Sequence, residues 1–223
     1  MGHFMPAELL RMAVCSAARY TGLMNTTYCL FDTEYTTWKD AMPRRWGGDG
    51  QHRELVQIAA ALVVPGQAWE SLRTFNVLVK PEVNPVLDDY AVQLLGITQD
   101  QLERDGLMTE AALGRFADFV GDVPCYSNGM DINIIAETCG LQKVLMPLEP
   151  RQFHSLSRPM YEALEARFTF VRADYPSGRV HELVGLTPPA TLGHVHDAMH
   201  DVWSLYATIE WLERDGAHII HTS

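Results

Sequence analysis

Three runs of apolar residues separated by polar loops occupy the first third of the chain. The run "TTYCLFDTEYT", which begins at Thr26, is rich in β-branched and aromatic residues, as β-strands are. The runs "ELVQIAAALVV" and "LRTFNVLVKP" share this composition, and they end at Pro65 and Pro81. Because the three runs are joined by short connections, the pattern predicts an antiparallel meander of three strands.

Beyond residue 81, apolar residues recur mainly at helical spacing. One short strand, "VPCYSNG", interrupts this part of the chain. The last segment, "DAMHDVWSLYATIEWLERDG", carries an apolar helical stripe that Gly216 ends. The helical segments before it are "LDDYAVQLLG", "TEAALGRFADFVGD", "DINIIAETCGLQKV", "MYEALEARF" and "RVHELVGL". A meander followed by β/α alternation predicts an α/β fold, with a mixed sheet and helices on its faces.

The length and composition fit one large globular domain. The chain has 223 residues, of which 47% are hydrophobic and 20% are charged. Glu8 and Arg11 interrupt the apolar stretch of "MGHFMPAELLRMAVCSAARY", which argues against a signal peptide, and the segment has the pattern of a short amphipathic helix. We therefore divide the chain into an N-terminal helical extension, residues 1–23, and a domain, residues 24–223.

Net charge and cysteine content narrow the class of protein. A formal net charge of -11 argues against a protein that coats long nucleic acid, but it allows an enzyme that binds one chain end. The cysteines Cys15, Cys29, Cys125 and Cys139 form no CxxC pair, which favours reduced thiols in the cytoplasm. No apolar run approaches the roughly 18 residues of a membrane span, so we expect no membrane partner.

Two acids stand two residues apart in the first predicted strand. Side chains at positions i and i+2 of a strand point to the same side, so Asp32 and Glu34 share one face. Like charges beside an apolar core repel each other with little screening. This arrangement predicts a positive charge between the two carboxylates.

Two further acids and a histidine follow in a specific order. Asp131 lies at the junction of a predicted strand and helix, Asp201 lies in the first turn of the last helix, and His196 precedes Asp201 by five residues. Taken singly, each acid is explained by helix capping or by the helix dipole. The combined order DxE…D…HxxxxD favours a functional site.

These motifs carry a resemblance to a known family. The segments "FDTEYTTW", "YSNGMD" and "HDAMHD" resemble the three motifs of the DEDDh 3′→5′ exonucleases, which include polymerase proofreading domains, ribonuclease T and oligoribonuclease. The spacer segments "ELVQIAAALV", "FNVLVKP" and "LLGITQDQL" are also similar, so the resemblance runs from about residue 27 to about residue 212. The loop "WGGDGQHRELVQI" is most similar to the histone-mRNA exonuclease branch. The resemblance implies an RNase H-like fold with a five-stranded mixed sheet, and an exonuclease domain over residues 24–223.

The resemblance also implies a role for each motif residue. Asp32, Glu34, Asp131 and Asp201 would bind two Mg²⁺ or Mn²⁺ ions, and His196 would be the general base. Elementary chemistry agrees, because hard divalent cations prefer oxygen ligands. Two ions about 3.5–4 Å apart stabilise the attacking and leaving oxygens of a phosphoryl displacement. A histidine titrates near neutral pH and can accept the proton of the attacking water.

The chain departs from the family pattern around two ligands. Val202 and Trp203 follow Asp201 where the family usually has a small alanine first, and Met130 stands where many members have phenylalanine. Neither departure removes a ligand. We therefore expect both to affect specificity more than activity.

Three other interpretations stay open at this point. The two His-Asp doublets of "HVHDAMHD" could indicate an HD-type phosphohydrolase, although that fold is all-helical. His194, His196 and His200 could indicate a zinc cluster, but no fourth ligand is evident; otherwise we expect His194 and His200 to face solvent or to lie behind the ligands. A catalytically idle RNase H-like module that binds nucleic acid or protein is the third, and it would be expected to lack some of the five residues.

Aromatic and basic residues near the first motif are candidate substrate contacts. We expect Tyr35, Trp38 and Trp46 to stack bases and Arg45 to hold phosphate, although a tryptophan after a strand can equally cap the core. The expected partner is single-stranded nucleic acid or a nucleic-acid 3′ end. A homodimer is implied only by analogy with the family.

Overall fold

A five-stranded mixed sheet forms the centre of the protein. The computed structural model describes residues 27–129 and 131–220. Strand order across the sheet is β3-β2-β1-β4-β5, with antiparallel pairing among β1, β2 and β3 and parallel pairing of β4 with β1 and of β5 with β4. The strands are β1 (Tyr28–Tyr35), β2 (Leu55–Val63), β3 (Arg73–Leu78), β4 (Cys125–Ser127) and β5 (Phe153–Ser155). The predicted α/β class and the predicted meander are confirmed.

Helices cover both faces of this sheet. Sequence signals explain several of their ends: Thr98 and Gln101 form a capping box, and Gly96 ends a helix in the left-handed conformation at φ 67°. Within the described part of the chain, the helices are α1 (Asp89–Leu95), α2 (Gln99–Asp105), α3 (Thr109–Val120), α4 (Asp131–Gln142), α5 (Ser157–Glu165), α6 (Val180–Leu183) and α7 (Ala198–Arg214). None of these described helices is long and apolar enough to cross a membrane.

Alternate side chains of β1 face two different cores. Leu30 belongs to the core that includes Leu205 of α7, whereas Phe31 packs with Phe116 of α3 on the opposite face. Asp32 and Glu34 have the same parity as Leu30, so they point to the face that α7 covers. Polar side chains from β1, from the β4–α4 junction and from the start of α7 are thereby directed to one region.

Strand β5 lacks the apolar pattern by which the other strands are predicted. Strand β5 has only three residues, two of them His154 and Ser155, so no apolar run marks it; parallel pairing with β4 holds it in the sheet. The predicted N-terminal extension, residues 1–23, and the departure at Met130 lie outside the described residues.

Candidate catalytic and metal-binding site

Asp32 and Glu34 are buried near the end of β1. The two residues are only 6% and 7% exposed to solvent. Both belong to a strand that pairs on each side, with β2 and with β4, so their backbone positions are fixed. The Ser177 side chain hydrogen-bonds Asp32 from the segment that precedes α6. Two carboxylates with few degrees of freedom therefore share one buried surface.

Asp131 reaches the same region from the first turn of α4. The Thr33 backbone N–H and Oγ1 donate hydrogen bonds to its Oδ1, at 3.2 Å and 2.8 Å. Thr33 lies between the two acids of β1, so these bonds tie the carboxylate of the second motif directly to the first motif.

Asp201 lies in the first turn of α7 and is 4% exposed. Its Oδ1 accepts a hydrogen bond from the His196 backbone N–H at 3.3 Å. A Cβ atom at Gly178 would stand 2.2 Å from the same oxygen, which is well inside van der Waals contact. Glycine is therefore required at position 178 for the Asp201 carboxylate to keep this place.

His196 is half-buried in an unusual backbone conformation. Its φ of 72° lies in the left-handed region, which costs a non-glycine residue roughly 1–3 kcal/mol. Burial, with a smaller effect of His194, lowers the pKa of the imidazole below its usual 6.5. A neutral ring at pH 7 is able to accept a proton.

Gln57 fixes the start of α7 relative to the sheet. It stands opposite Glu34 in the β1–β2 register and is buried. Its Nε2 donates to Asp197 Oδ1 at 3.2 Å, and its Oε1 accepts from the Ala198 N–H at 3.1 Å. Asp197 in turn caps α7 by accepting from the Met199 N–H. One glutamine thus orients the segment between His196 and Asp201.

All five motif residues line one cavity of about 310 Å³. Within the described chain, ligand atoms of Glu34, His196 and Asp201 lie within 4.8 Å of one another and form a group that could hold a metal ion. Asp32 and Asp131 line the same cavity outside this closest group. The structure therefore brings the five residues of the DxE…D…HxxxxD pattern to one place.

The carboxylates in this cavity are electrostatically strained. Burial raises the pKa of Asp32 and of Glu34 well above the usual values, and the carboxylates of Asp131 and Asp201 raise both further. Burial also raises the pKa of Asp201 to about 8, although backbone hydrogen bonds from His196 and Gly178 oppose the change. The pKa of Asp131 is raised by burial and held back by the hydrogen bonds of Thr33.

This donor set fits hard divalent cations. In the described part of the chain, none of the four carboxylates forms an ion pair with lysine or arginine. Buried carboxylates without a cationic partner are costly unless a metal compensates them. Oxygen ligands in an open cavity that also admits water match the preferences of Mg²⁺ and Mn²⁺.

A second cavity of about 240 Å³, the aromatic cavity, adjoins the acidic cavity that the five motif residues line. The two share Glu34, Tyr35 and His196, and the second is also lined by Trp38 and Trp46. The Tyr35 and Trp46 rings meet edge to face at 5.6 Å between centroids. Three of the four predicted substrate contacts therefore line this aromatic cavity.

The fourth predicted contact, Arg45, lies elsewhere. Its side chain is exposed, and it is not among the described residues that line either cavity. Its φ of 51° belongs to the tight turn in which the Trp46 N–H donates to the Ala41 carbonyl.

The two neighbouring histidines have different environments. His194 is exposed, as expected for a solvent-facing side chain. His200 is buried instead, with its Nε2 3.1 Å from the Gly178 carbonyl oxygen, so it lies behind Asp201 and the solvent-facing alternative is wrong for it. No described group of ligand atoms combines two histidines, and the five-stranded sheet excludes an all-helical phosphohydrolase fold.

Val202 and Trp203 show what replaces the small residue behind Asp201. Val202 is fully buried in the core beneath α7. Trp203 packs edge to face on His181, with ring centroids 5.1 Å apart. The larger side chains are accommodated without displacing Asp201 from the cavity.

Sequence reasoning missed several residues that shape the site. Thr33, Gly178 and Gln57 act through contacts with residues 98, 23 and 141 positions away, which no local pattern reveals. Arg53 also lines the acidic cavity. Its sequence signal is its place in "HRELVQI", immediately before β2 and within a segment that resembles the exonuclease family.

Comparison with known proteins identifies the family. The profile of the exonuclease family RNase_T matches residues 29–208. A segment of 92 residues is 30% identical to ERI1 exoribonuclease 2 of Xenopus laevis; it covers 41% of this chain but only 12% of that protein.

Solved structures of similar fold agree with this match. The nuclease domain of 3′hExo, a DEDDh family member bound to rAMP, has a TM-score of 0.70 at 18% identity, over 90% of this chain and 98% of that one. A 3′-exonuclease that recognises the 3′ end of the histone mRNA stem-loop has a TM-score of 0.66 at 19% identity, over 86% and 84% of the two chains. The chain has the RNase H-like fold of these nucleases, and it belongs to the RNase_T family of exonucleases.

Proposed function

We propose that this protein is a 3′→5′ exonuclease that hydrolyses phosphodiester bonds of RNA or DNA with two Mg²⁺ or Mn²⁺ ions and releases nucleoside 5′-monophosphates. The observation that carries this proposal is the shared cavity of Asp32, Glu34, Asp131, Asp201 and His196. A catalytically idle module would not need four strained carboxylates and a neutral histidine at one surface.

The four carboxylates hold the ions in this proposal. When bound, the two cations supply charge stabilisation for the attacking and leaving oxygens of the phosphoryl transfer. Asp32 and Glu34 provide the rigid side of the site from β1, and Asp131 and Asp201 close it from α4 and α7. Burial and neighbouring charges raise the pKa values of Asp32, Glu34 and Asp201, so these carboxyls retain protons without metal, and metal uptake would release protons.

His196 acts as the general base. Its lowered pKa keeps the imidazole neutral at pH 7, and its position two residues before α7 places it outside the helix. It accepts the proton of the attacking water, which a base must approach to about 2.6–3.2 Å directly or through one further water. The hydrogen bonds of Gln57 to Asp197 and Ala198 hold this segment in place against β2.

The aromatic cavity receives the terminal nucleoside. Tyr35, Trp38 and Trp46 offer ring faces for base stacking, beside Glu34 and His196 of the reaction centre. A relative solved with rAMP supports a nucleoside monophosphate as the species held there. Another relative, described by its recognition of an mRNA 3′ end, supports the 3′→5′ direction.

The direction is tested with 5′-labelled single strands of RNA and DNA, digested with Mg²⁺ or Mn²⁺. A 3′→5′ exonuclease shortens them in a ladder and releases nucleoside 5′-monophosphates. Circular strands and strands with a blocked 3′ end should resist, and Asp201→Asn serves as the inactive control. Rapid cutting of a circle would indicate an endonuclease and contradict the proposal.

The remaining expectations concern the cellular location, the domain boundaries and the oligomeric state. The thiols of Cys29, Cys125 and Cys139 are free and buried, which supports a reducing, cytoplasmic location. The division into an extension, residues 1–23, and an exonuclease domain, residues 24–223, stays a prediction. A homodimer likewise stays a prediction from the family resemblance.

A further inference from the structure

Arg53 is a cationic side chain at the wall of an otherwise acidic cavity. It is the only arginine or lysine among the described residues that line the cavity of the five motif residues. On the proposed function, a nucleic-acid strand must bring its negative phosphates to this surface. We propose that Arg53 binds a phosphodiester group of the substrate strand.

The guanidinium is held in a defined place. Its Nε donates to Glu137 Oε2 of α4 at 2.8 Å, and its Nη2 donates to Glu137 Oε1, which makes a two-point ion pair. The same guanidinium lies 5.1 Å from the Trp46 ring centroid and 6.0 Å from that of Tyr35. An arginine fixed by a carboxylate and two rings loses less conformational freedom when it binds a phosphate.

This arrangement leaves hydrogen-bond donors for a ligand. A guanidinium has five N–H groups, and Glu137 takes two of them. No other acceptor for Arg53 occurs among the described residues. The side chain is 28% exposed, so solvent or a ligand reaches the remaining donors. Their planar geometry matches the oxygens of a phosphate.

The position of Arg53 also suits the path of a strand. The Tyr35 and Trp46 rings that it contacts line the aromatic cavity, while Arg53 itself lines the acidic one. In this proposal, a strand whose terminal base occupies the aromatic cavity runs past these two rings, which brings one of its phosphates to Arg53. The competing account is that Arg53 only ties the start of β2 to α4 through Glu137.

Oligonucleotide binding separates these accounts. We would titrate a 5′-fluorescent single strand in Ca²⁺, confirm on a gel that it stays intact, and measure cleavage separately in Mg²⁺. Arg53→Ala should raise Kd and KM about tenfold, the weaker end of what a charged hydrogen bond supplies, with kcat nearly unchanged. It should also reduce the slope of log Kd against log salt by roughly 0.7, the loss of one single-strand phosphate contact.

Three variants serve as controls. Arg214→Ala removes an ion-paired arginine at the far end of α7, about 20 Å along the helix from Asp201, and should leave Kd and the salt slope unchanged. Arg53→Lys keeps the charge but loses the two-point geometry, so it should recover the salt slope and only part of the affinity. Glu137→Gln removes the charge and one of the two acceptor oxygens of this tie to α4, and it should keep the full salt slope.

Replacing single phosphodiester linkages of the strand with neutral methylphosphonates identifies the phosphate that Arg53 binds. A methylphosphonate at the first or the second linkage from the 3′ end should weaken wild-type binding, and at one of these positions Arg53→Ala should show no further loss. If Arg53→Ala and Glu137→Gln change Kd equally and leave the salt slope unchanged, the proposal is overturned, and Arg53 only ties the start of β2 to α4. Binding that depends on Arg53 without any cleavage would instead contradict the proposed exonuclease function.

Discussion

Asp201→Asn is expected to stabilise the metal-free protein while abolishing its activity. The amide removes the charge but keeps an oxygen for the His196 N–H and fits the space beside Gly178. Burial raises the pKa of Asp201 to about 8 in the folded protein, against an ordinary value of 3.8. The folded state therefore keeps a proton between these values that the unfolded chain releases, and the free energy of unfolding falls as the pH rises through this window.

The size of the effect follows from this pKa difference. From the ordinary pKa of 3.8 to pH 7 the difference is about three pH units, and each unit is worth about 1.4 kcal/mol. The loss of unfolding free energy that Asp201 causes at pH 7 therefore has a ceiling near 4 kcal/mol. The charge of Asp201 also raises the pKa values of Asp32 and Glu34, which spreads the penalty over the cluster. We expect Asp201→Asn to raise the free energy of unfolding in EDTA by about 2–4 kcal/mol, a rise in Tm of roughly 5–15 °C.

Thermal unfolding in EDTA and in Mg²⁺ at pH 5, 6, 7 and 8 measures this effect. In EDTA the wild type should lose stability from pH 5 to pH 8, and the variant should lose less. Mg²⁺ should raise the Tm of the wild type at pH 7 to 8, because a ligand that binds only the folded state stabilises it, and it should raise the Tm of the variant less. A variant less stable than the wild type in EDTA at pH 7 would refute the reasoning.

Three further variants, one of them with a matched control, test separate parts of the site. His196→Ala should lower the rate at pH 7 by roughly 10²–10⁴-fold while metal binding persists, with a smaller loss at high pH where hydroxide is more available; His194→Ala should change it little. Trp46→Ala should raise KM for short strands about tenfold with little change in kcat, since one stacked base is worth about 1–3 kcal/mol. Gln57→Ala should cost about 1–3 kcal/mol of stability and lower kcat, because the start of α7 loses two buried hydrogen bonds. Rates, KM and denaturant unfolding of each purified variant check these outcomes, and a Gln57→Ala enzyme with unchanged kcat would remove its positioning role.

The parts of the fold that local pattern controls were predictable from sequence. The period-2 alternation of β1 fixes the side to which Asp32 and Glu34 point, and the apolar stripe of α7 fixes the face beside which Asp201 lies. The five motif residues could be proposed because their order along the chain is itself the signal. Strand β5 could not, since His154 and Ser155 in a three-residue strand form no apolar run.

The residues that were missed act through distant partners. Gly178 is needed only because the Asp201 carboxylate approaches it, and Gln57 matters only because α7 begins beside β2. Arg53 would be an ordinary surface charge without Glu137, Trp46 and the cavity that they adjoin. Such roles depend on tertiary contacts, and one-dimensional spacing carries no record of them.

The central claim is that the cavity of Asp32, Glu34, Asp131, Asp201 and His196 binds two divalent ions and that cleavage depends on them. The most direct measurement is a Mn²⁺ titration in which bound ions per chain and the cleavage rate are determined on the same samples, starting from protein stripped with EDTA. The account predicts no cleavage without metal, two ions per chain at full activity, and the loss of at least one ion together with activity in Asp201→Asn. Full activity of the stripped protein in EDTA would contradict it.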